Sequence, residues 1–179
     1  HPHGLSRLGL SQVGGWFMAQ DWFEVVVELP RGSRNKYEID HDTGDVWLDR
    51  HLFQATVYPM EYGFFPETLA DDDDPLDALV LLGEPTYPGV HLRVRVVGML
   101  MMHDEKGRDE KILCVLHGDH RQEQYRDIDD LPEHLLAEIS HFFEGYKDLE
   151  PGKYVKVGGW HTREEALKVV AAAKANYPT

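Results

Sequence analysis

The run Asp71-Asp72-Asp73-Asp74-Pro75-Leu76-Asp77 narrows the folds open to this chain more than any other stretch. Five carboxylates in seven residues cannot be buried together unless water or a hard cation neutralises them. Any fold must therefore leave this segment at a surface or wrap it around positive charge. Asp72, Asp74 and Asp77 form an Asp-x-Asp-Pro-x-Asp spacing, a candidate site for Mg²⁺ or a similar oxygen-loving ion. Taken alone, the run reads first as a solvated acidic turn. A second cluster, Asp104-x4-Asp109-x-Lys111, changes that balance, as do lysines, an arginine and tyrosines in short segments elsewhere. Carboxylates for metal, with cations and phenols for oxyanions, make up an inventory for phosphoryl transfer.

Charge adds a constraint. The 179 residues carry 32 acidic against 18 basic side chains, a formal net charge of −14. Such a surface repels nucleic-acid phosphate, which argues against binding DNA or RNA. It repels pyrophosphate and nucleotides as well, so handling them requires metal ions that reverse the local field. Cys114, inside the apolar run 112–116, is the single cysteine. It excludes an intramolecular disulfide and a Cys-based zinc cluster, and it fits the reducing cytoplasm. No apolar run approaches the ~20 residues that span a membrane. Residues 1–17 are expected to be an expression remnant or N-terminal extension before Met18, with 18–179 forming one domain.

Strand signals dominate the chain. Residues 22–29 are β-branched and aromatic and stop at Pro30. Segments 36–40 and 46–48 flank the turn 41–45 and predict a hairpin with Lys36, Glu38 and Asp40 on one face. Further strands are expected at 78–82, 91–99, 111–116 and 153–157. Helical signals come late. Asp130-Leu131-Pro132-Glu133 resembles a capping box, and Leu135, Leu136, Ile139, Phe142 and Phe143 recur at helical spacing before Gly145. A second helix opens at Thr162, with Leu167, Val170 and Ala171 as its expected apolar stripe. Many short strands followed by helices predict a β-rich α+β domain: a small closed, five-stranded, OB-like barrel with helices packed against it.

Several segments occur together in order: Glu28-Leu29-Pro30, Lys36-Tyr37-Glu38, Val46-Trp47-Leu48-Asp49-Arg50, Tyr58-Pro59, Tyr62-Gly63, the acidic loop, the Asp104–Lys111 cluster, and His141-Phe142-Phe143-Glu144-x-Tyr146-Lys147-Asp148-Leu149-Glu150. On these, the chain resembles the family I soluble inorganic pyrophosphatases of the bacterial type, over roughly Trp22 to Trp160. The resemblance implies hydrolysis of pyrophosphate to two phosphates by direct attack of a metal-activated water. It implies several Mg²⁺ ions per site, with Mn²⁺ or Zn²⁺ able to substitute. Asp72, Asp77 and Asp109 would ligate the tightest metal, with Asp77 and Asp104 helping to hold neighbouring ions and Asp109 shared. Glu28 and Glu38 would act through waters on further metals. Asp74 is the implied general base, with Asp109 the other carboxylate of the catalytic pair. Lys36, Arg50, Tyr62, Lys111, Tyr146 and Lys147 would clamp the phosphates, supported by Tyr58. A homohexamer is implied, with His141 at a subunit contact.

His134, Glu138 and His141 share a helix face but lack the His-Glu-x-x-His spacing of a zinc site. No serine or cysteine sits in a nucleophile motif, and no Gly-x4-Gly-Lys-Ser/Thr loop is present. Two other functions remain open on the residues alone. One is a Mg²⁺-dependent hydrolase of nucleotides or polyphosphate. The other is a non-enzymatic divalent-cation-binding module, although Pro75 and the missing glycine break the EF-hand pattern.

Overall fold

The computed structural model describes residues 22–179 and the backbone of Ser11–Val13 and Trp16–Met18. Those two short strands, β1 and β2, pair antiparallel, with Ser11 opposite Met18. The remaining part of the expected extension lies outside the described residues.

The β-branched run beginning at Trp22 forms β3 (Phe23–Leu29). It is followed by β4 (Asn35–Ile39), β5 (Val46–His51), β6 (Glu61–Phe64), β7 (Asp77–Leu81), β8 (His91–Asp104) and β9 (Gly107–Leu116). The late elements are α1 (Glu133–Gly145), β10 (Val155–His161) and α2 (Arg163–Asn176). Strands β8, β3, β6, β7 and β9 are hydrogen-bonded in that order, and β9 returns to β8. The ring of five strands is therefore closed, as the barrel expectation requires. β10 extends the sheet from the outer edge of β8, and β4–β5 is a separate hairpin. All ring pairings are antiparallel except β7–β9, which is parallel and sets Asp77 opposite Lys111.

Alternation in the ring strands sends residues to two buried clusters. Leu79, Leu81, Leu113 and Val115 join Leu29, Leu100 and Met102 under the α1 residues Ile139, Phe142 and Phe143. The alternate residues Ala78, Val80, Ile112 and Cys114 join Val25, Val27 and Val94, against Ala166, Val170 and Ala173 of α2. Both faces of these strand segments are thus dry, which explains why residues 78–81 of β7 and 112–115 of β9 are continuously apolar rather than alternating. Cys114 is fully buried, and burial pushes its thiol pKa far up.

Three sequence expectations are corrected. The expected capping box at Asp130 does not cap α1, whose first residue follows Pro132 without a side-chain cap. Asp130 instead accepts from the Arg126 and Asp127 amides, closing a box on the 3₁₀ turn Ile128–Asp130. On α2, Val170 is buried as expected, but Ala166 and Ala173 share the buried stripe, whereas Leu167 is half-buried and Ala171 exposed. Strand β6 has no counterpart among the expected strands, because Gly63 interrupts its apolar pattern. A Cβ at Gly63 would lie 2.1 Å from the Val26 carbonyl oxygen, so only glycine permits the close β3–β6 approach.

Candidate active site

Two bulges and one pinched loop aim the polar residues. Along β3–β6, Val27 pairs with Gly63 and Leu29 with Tyr62, which leaves Glu28 as the extra residue. A bulge of this kind re-aims one side chain without ending the strand. In the β4–β5 hairpin, Lys36 faces Arg50 while Tyr37 faces Leu48, so Asp49 is the extra residue. The acidic loop is pinched at its neck. Phe65 N–H donates to the Leu76 carbonyl at 2.9 Å. The buried Thr68 hydroxyl donates to Phe65 O and accepts from Leu76 N–H at 3.0 Å. Inside the loop, Ala70 N–H donates to Asp74 O, Asp74 N–H donates to Asp72 Oδ1, and Asp73 adopts φ 65°. Aspartate tolerates that left-handed conformation better than most residues.

The result is one cleft of about 330 Å³. Of the five carboxylates in the acidic run, Asp72, Asp74 and Asp77 line it, and Asp71 and Asp73 do not. Asp104 and Asp109 enter from the β8–β9 hairpin, and Glu28 and Glu38 from β3 and β4. Lys36, Arg50 and Lys111, with Tyr62, Tyr146 and Lys147, complete the wall, so every site residue expected from sequence reaches the same space. Tyr58 also touches it, but is 1% exposed and packs on Tyr62, Phe142, Phe143 and Tyr146. His134, Glu138 and His141 are exposed on α1 and belong to no described metal-binding group.

Lys111 is the electrostatic centre. Only 1% exposed, its ammonium donates to Tyr62 Oη at 2.8 Å and Asp77 Oδ2 at 2.9 Å, and lies 3.1 Å from Asp109 Oδ2. Burial opposes its charge, but Asp109 and Asp77 outweigh burial and hold its pKa well above the usual lysine value. The carboxylates remain in excess. Burial, reinforced by Asp77, raises the Glu28 pKa to about 8. Burial also lifts Asp109 to about 6 even with Lys111 beside it. Asp72 is raised in the same direction, again mainly by burial. Across the cleft, burial and then Arg50 lower the Lys36 pKa. Burial drives the Tyr62 and Tyr58 phenols well above 10, so both remain protonated donors.

Sequence reasoning left several lining residues without a role: Asp49, Glu105, Lys106, Lys153 and His41. Glu105 and Lys106 are unassigned positions within the Asp-x4-Asp spacing, and Lys153 stands just before β10. Glu105 lies 3.1 Å from Lys153 and 3.7 Å from Lys147. His41 packs edge-on against Phe64 at 4.8 Å. Of these, Asp49 stands in one of the segments that carry the family resemblance, and His41 in the turn just after β4.

Among the described residues the cleft gathers nine carboxylates and six lysine or arginine side chains. No three described His, Cys, Asp or Glu side chains converge closely enough to hold a metal unaided. Asp77 and Asp109 are instead turned onto Lys111. The donor chemistry nevertheless suits a hard cation. Oxygen ligands are in excess, nine carboxylates to six cations, and burial, with Asp77 next to both groups, disfavours the charged forms of Glu28 and Asp109 unless a cation joins them.

The family model for inorganic pyrophosphatase matches residues 25–178. An inorganic pyrophosphatase of Leifsonia xyli is 57% identical over 154 residues, covering 86% of this chain and 94% of that protein. The Thermus thermophilus enzyme is 53% identical, covering 89% and 92%. Its crystal structure superposes with a TM-score of 0.86, covering 95% of this chain and 96% of that one. The inorganic pyrophosphatase of Helicobacter pylori gives a TM-score of 0.86 at 42% identity, with coverage of 96% and 99%. This chain belongs to the inorganic pyrophosphatase family, of the family I type, whose members are metal-dependent enzymes that split pyrophosphate into two phosphates.

Proposed function

We propose that this cleft carries out the family reaction, with Asp74 as general base on the attacking water and Asp109 as the other carboxylate of the catalytic pair. The observation that carries the reading is the gathering of nine carboxylates and six cations in one small cleft, with Lys111 held between Asp77 and Asp109. Asp72, Asp77, Asp104 and Asp109 would hold Mg²⁺, with Glu28 and Glu38 acting through waters and Mn²⁺ or Zn²⁺ as substitutes. When bound, the metal neutralises the phosphate oxygens and lowers the pKa of water.

The protein's own groups do the rest. Asp74, exposed at the loop tip, accepts the proton from the water. Lys36, Arg50, Lys111 and Lys147 bind the two phosphates, Lys as point charges and Arg50 as a directional fork. Tyr62 and Tyr146, kept protonated by burial, donate hydrogen bonds to phosphate oxygens. The second phosphate leaves as an anion stabilised by the same cations, so no covalent enzyme intermediate is required. A cytoplasmic homohexamer with His141 at a contact is the assembly we infer. His141 is exposed on α1, and among the described residues no helix is long and apolar enough to cross a membrane.

Phosphate release from pyrophosphate and from ATP, each with and without excess Mg²⁺, tests the reading. Fast Mg²⁺-dependent release from pyrophosphate with little from ATP is expected. A folded, Mg²⁺-loaded sample silent on pyrophosphate would refute it.

A further inference from the structure

The two groups of phosphate-binding cations stand on different parts of the chain. Lys36 and Arg50 lie on the β4–β5 hairpin, which forms its own two-stranded sheet and, among the described residues, shares no strand pairing with the barrel. Tyr146 and Lys147 lie on the segment after α1, which runs to Lys153 before β10 begins. Whatever holds these two pieces apart also sets how long a phosphate chain fits between them.

One side chain joins them. Glu150 Oε1 lies 2.8 Å from Arg50 Nε, with the Glu150 side chain only 9% exposed. Among the described residues this is the ion pair that connects the hairpin to segment 146–153. Glu150 is outside the lining of the cleft, whereas Arg50 is part of it. It therefore grips the guanidinium from behind, on the Nε edge, while Asp49 Oδ2 holds Nη1 at 2.5 Å. The backbone around Glu150 is itself constrained. Its N–H donates to Lys147 O at 2.9 Å, and its carbonyl accepts from Lys153 N–H at 3.3 Å. Lys147 and Lys153 are in turn tied to the β8–β9 hairpin, by Asp104 at 3.4 Å and Glu105 at 3.1 Å. The separation between Arg50 and Lys147 is thus transmitted through Glu150.

We propose that Glu150 is a positioning and specificity-determining residue: by fixing the Arg50–Lys147 separation, it restricts the clamp to a two-phosphate chain. This rests on the pyrophosphatase reading of the cleft. A charge-assisted hydrogen bond of this type is worth about tenfold in an equilibrium or rate ratio. Loss of the tether should therefore relax discrimination rather than simply slow turnover.

The test compares kcat/KM for pyrophosphate and for inorganic tripolyphosphate, under excess Mg²⁺, in wild type, E150Q and E150A. E150A should raise KM for pyrophosphate and lower the pyrophosphate-to-tripolyphosphate ratio about tenfold. E150Q keeps an oxygen that accepts from Arg50 Nε and should recover part of that ratio. Melting temperatures of the two variants separate a folding defect from a spacing defect. If both substrates lose activity in proportion, with the ratio unchanged, Glu150 is only structural and the proposal fails. Wild type silent on both substrates overturns the hydrolytic reading itself, and the spacer role with it.

Discussion

Replacing Lys111 with methionine isolates the charge logic of the cleft. The ammonium is 1% exposed and shared between Asp77 and Asp109, at 2.9 and 3.1 Å. Methionine fills similar space and supplies no charge, so the two carboxylates face each other with little water. Breaking a buried ion pair by removing one partner costs about 3–5 kcal/mol. In a chain of this size that is a fall in melting temperature of roughly 6–20 °C. The loss should be largest in EDTA near pH 8. It should shrink as pH falls toward about 6 and level off below. Lys111 lowers the Asp109 pKa, so its removal lets that carboxyl take up a proton at a higher pH than in wild type. Mg²⁺ should restore much of it, since a ligand at a hundred times its dissociation constant contributes about 2.7 kcal/mol. Thermal melts at constant protein concentration, with EDTA or Mg²⁺ at pH 5.5 and 8, measure all four corners. An equal loss in EDTA and in Mg²⁺, or a loss below about 1 kcal/mol in EDTA, would refute the claim that Lys111 and metal compensate the same carboxylates.

Asp74→Asn should leave the melting temperature near wild type while pyrophosphate turnover at neutral pH falls at least ~100-fold, the scale of general-base catalysis; steady-state phosphate release checks it. Gly63→Ala places a Cβ 2.1 Å from the Val26 carbonyl oxygen and should destabilise by about 3 kcal/mol or more, read by denaturant unfolding. Glu28 and Asp109 have folded pKa values of about 8 and about 6, above their unfolded values. Their contribution is therefore fully present below about pH 4 and is lost as pH rises through 6 and then 8, because the folded state binds more protons in that window. Metal-free melts from pH 5 to 8.5 should show this decline, and E28Q should flatten its upper part; an identical slope in E28Q would rule out the assignment to Glu28.

Much of this was legible in the residues. The hairpin 36–51, the strands at β3, β7, β8 and β9 and both helices follow from β-branched runs, turn residues and helical periodicity. Those signals are local, and local preference matched the fold. The cleft residues were legible because their chemistry is unusual: clustered aspartates, and lysines and tyrosines in short ordered motifs, are hard to explain as surface alone. Beyond them the signal weakened. β6 was hidden because Gly63 weakens a strand locally and is required there only by the Val26 backbone on another strand. Asp130 carried a capping signal but spent it on the turn before α1, a choice between two nearby sets of amides. The second helix buried Ala166 and Ala173 rather than Leu167 and Ala171, since the barrel surface decided which stripe faced inward.

Local sequence suffices for the residue inventory, the elements with strong periodicity, and the need for the acidic loop to face water or cations. Tertiary structure alone decided the closure of β9 onto β8, the parallel pairing that sets Asp77 opposite Lys111, and the extra residues that turn Glu28 and Asp49 out of register. It also decided that Glu150 reaches Arg50 across 100 positions of chain. The physical reason is range. Propensity and spacing act over a few residues, whereas charge compensation and backbone approach depend on distances between segments that only the packed barrel sets.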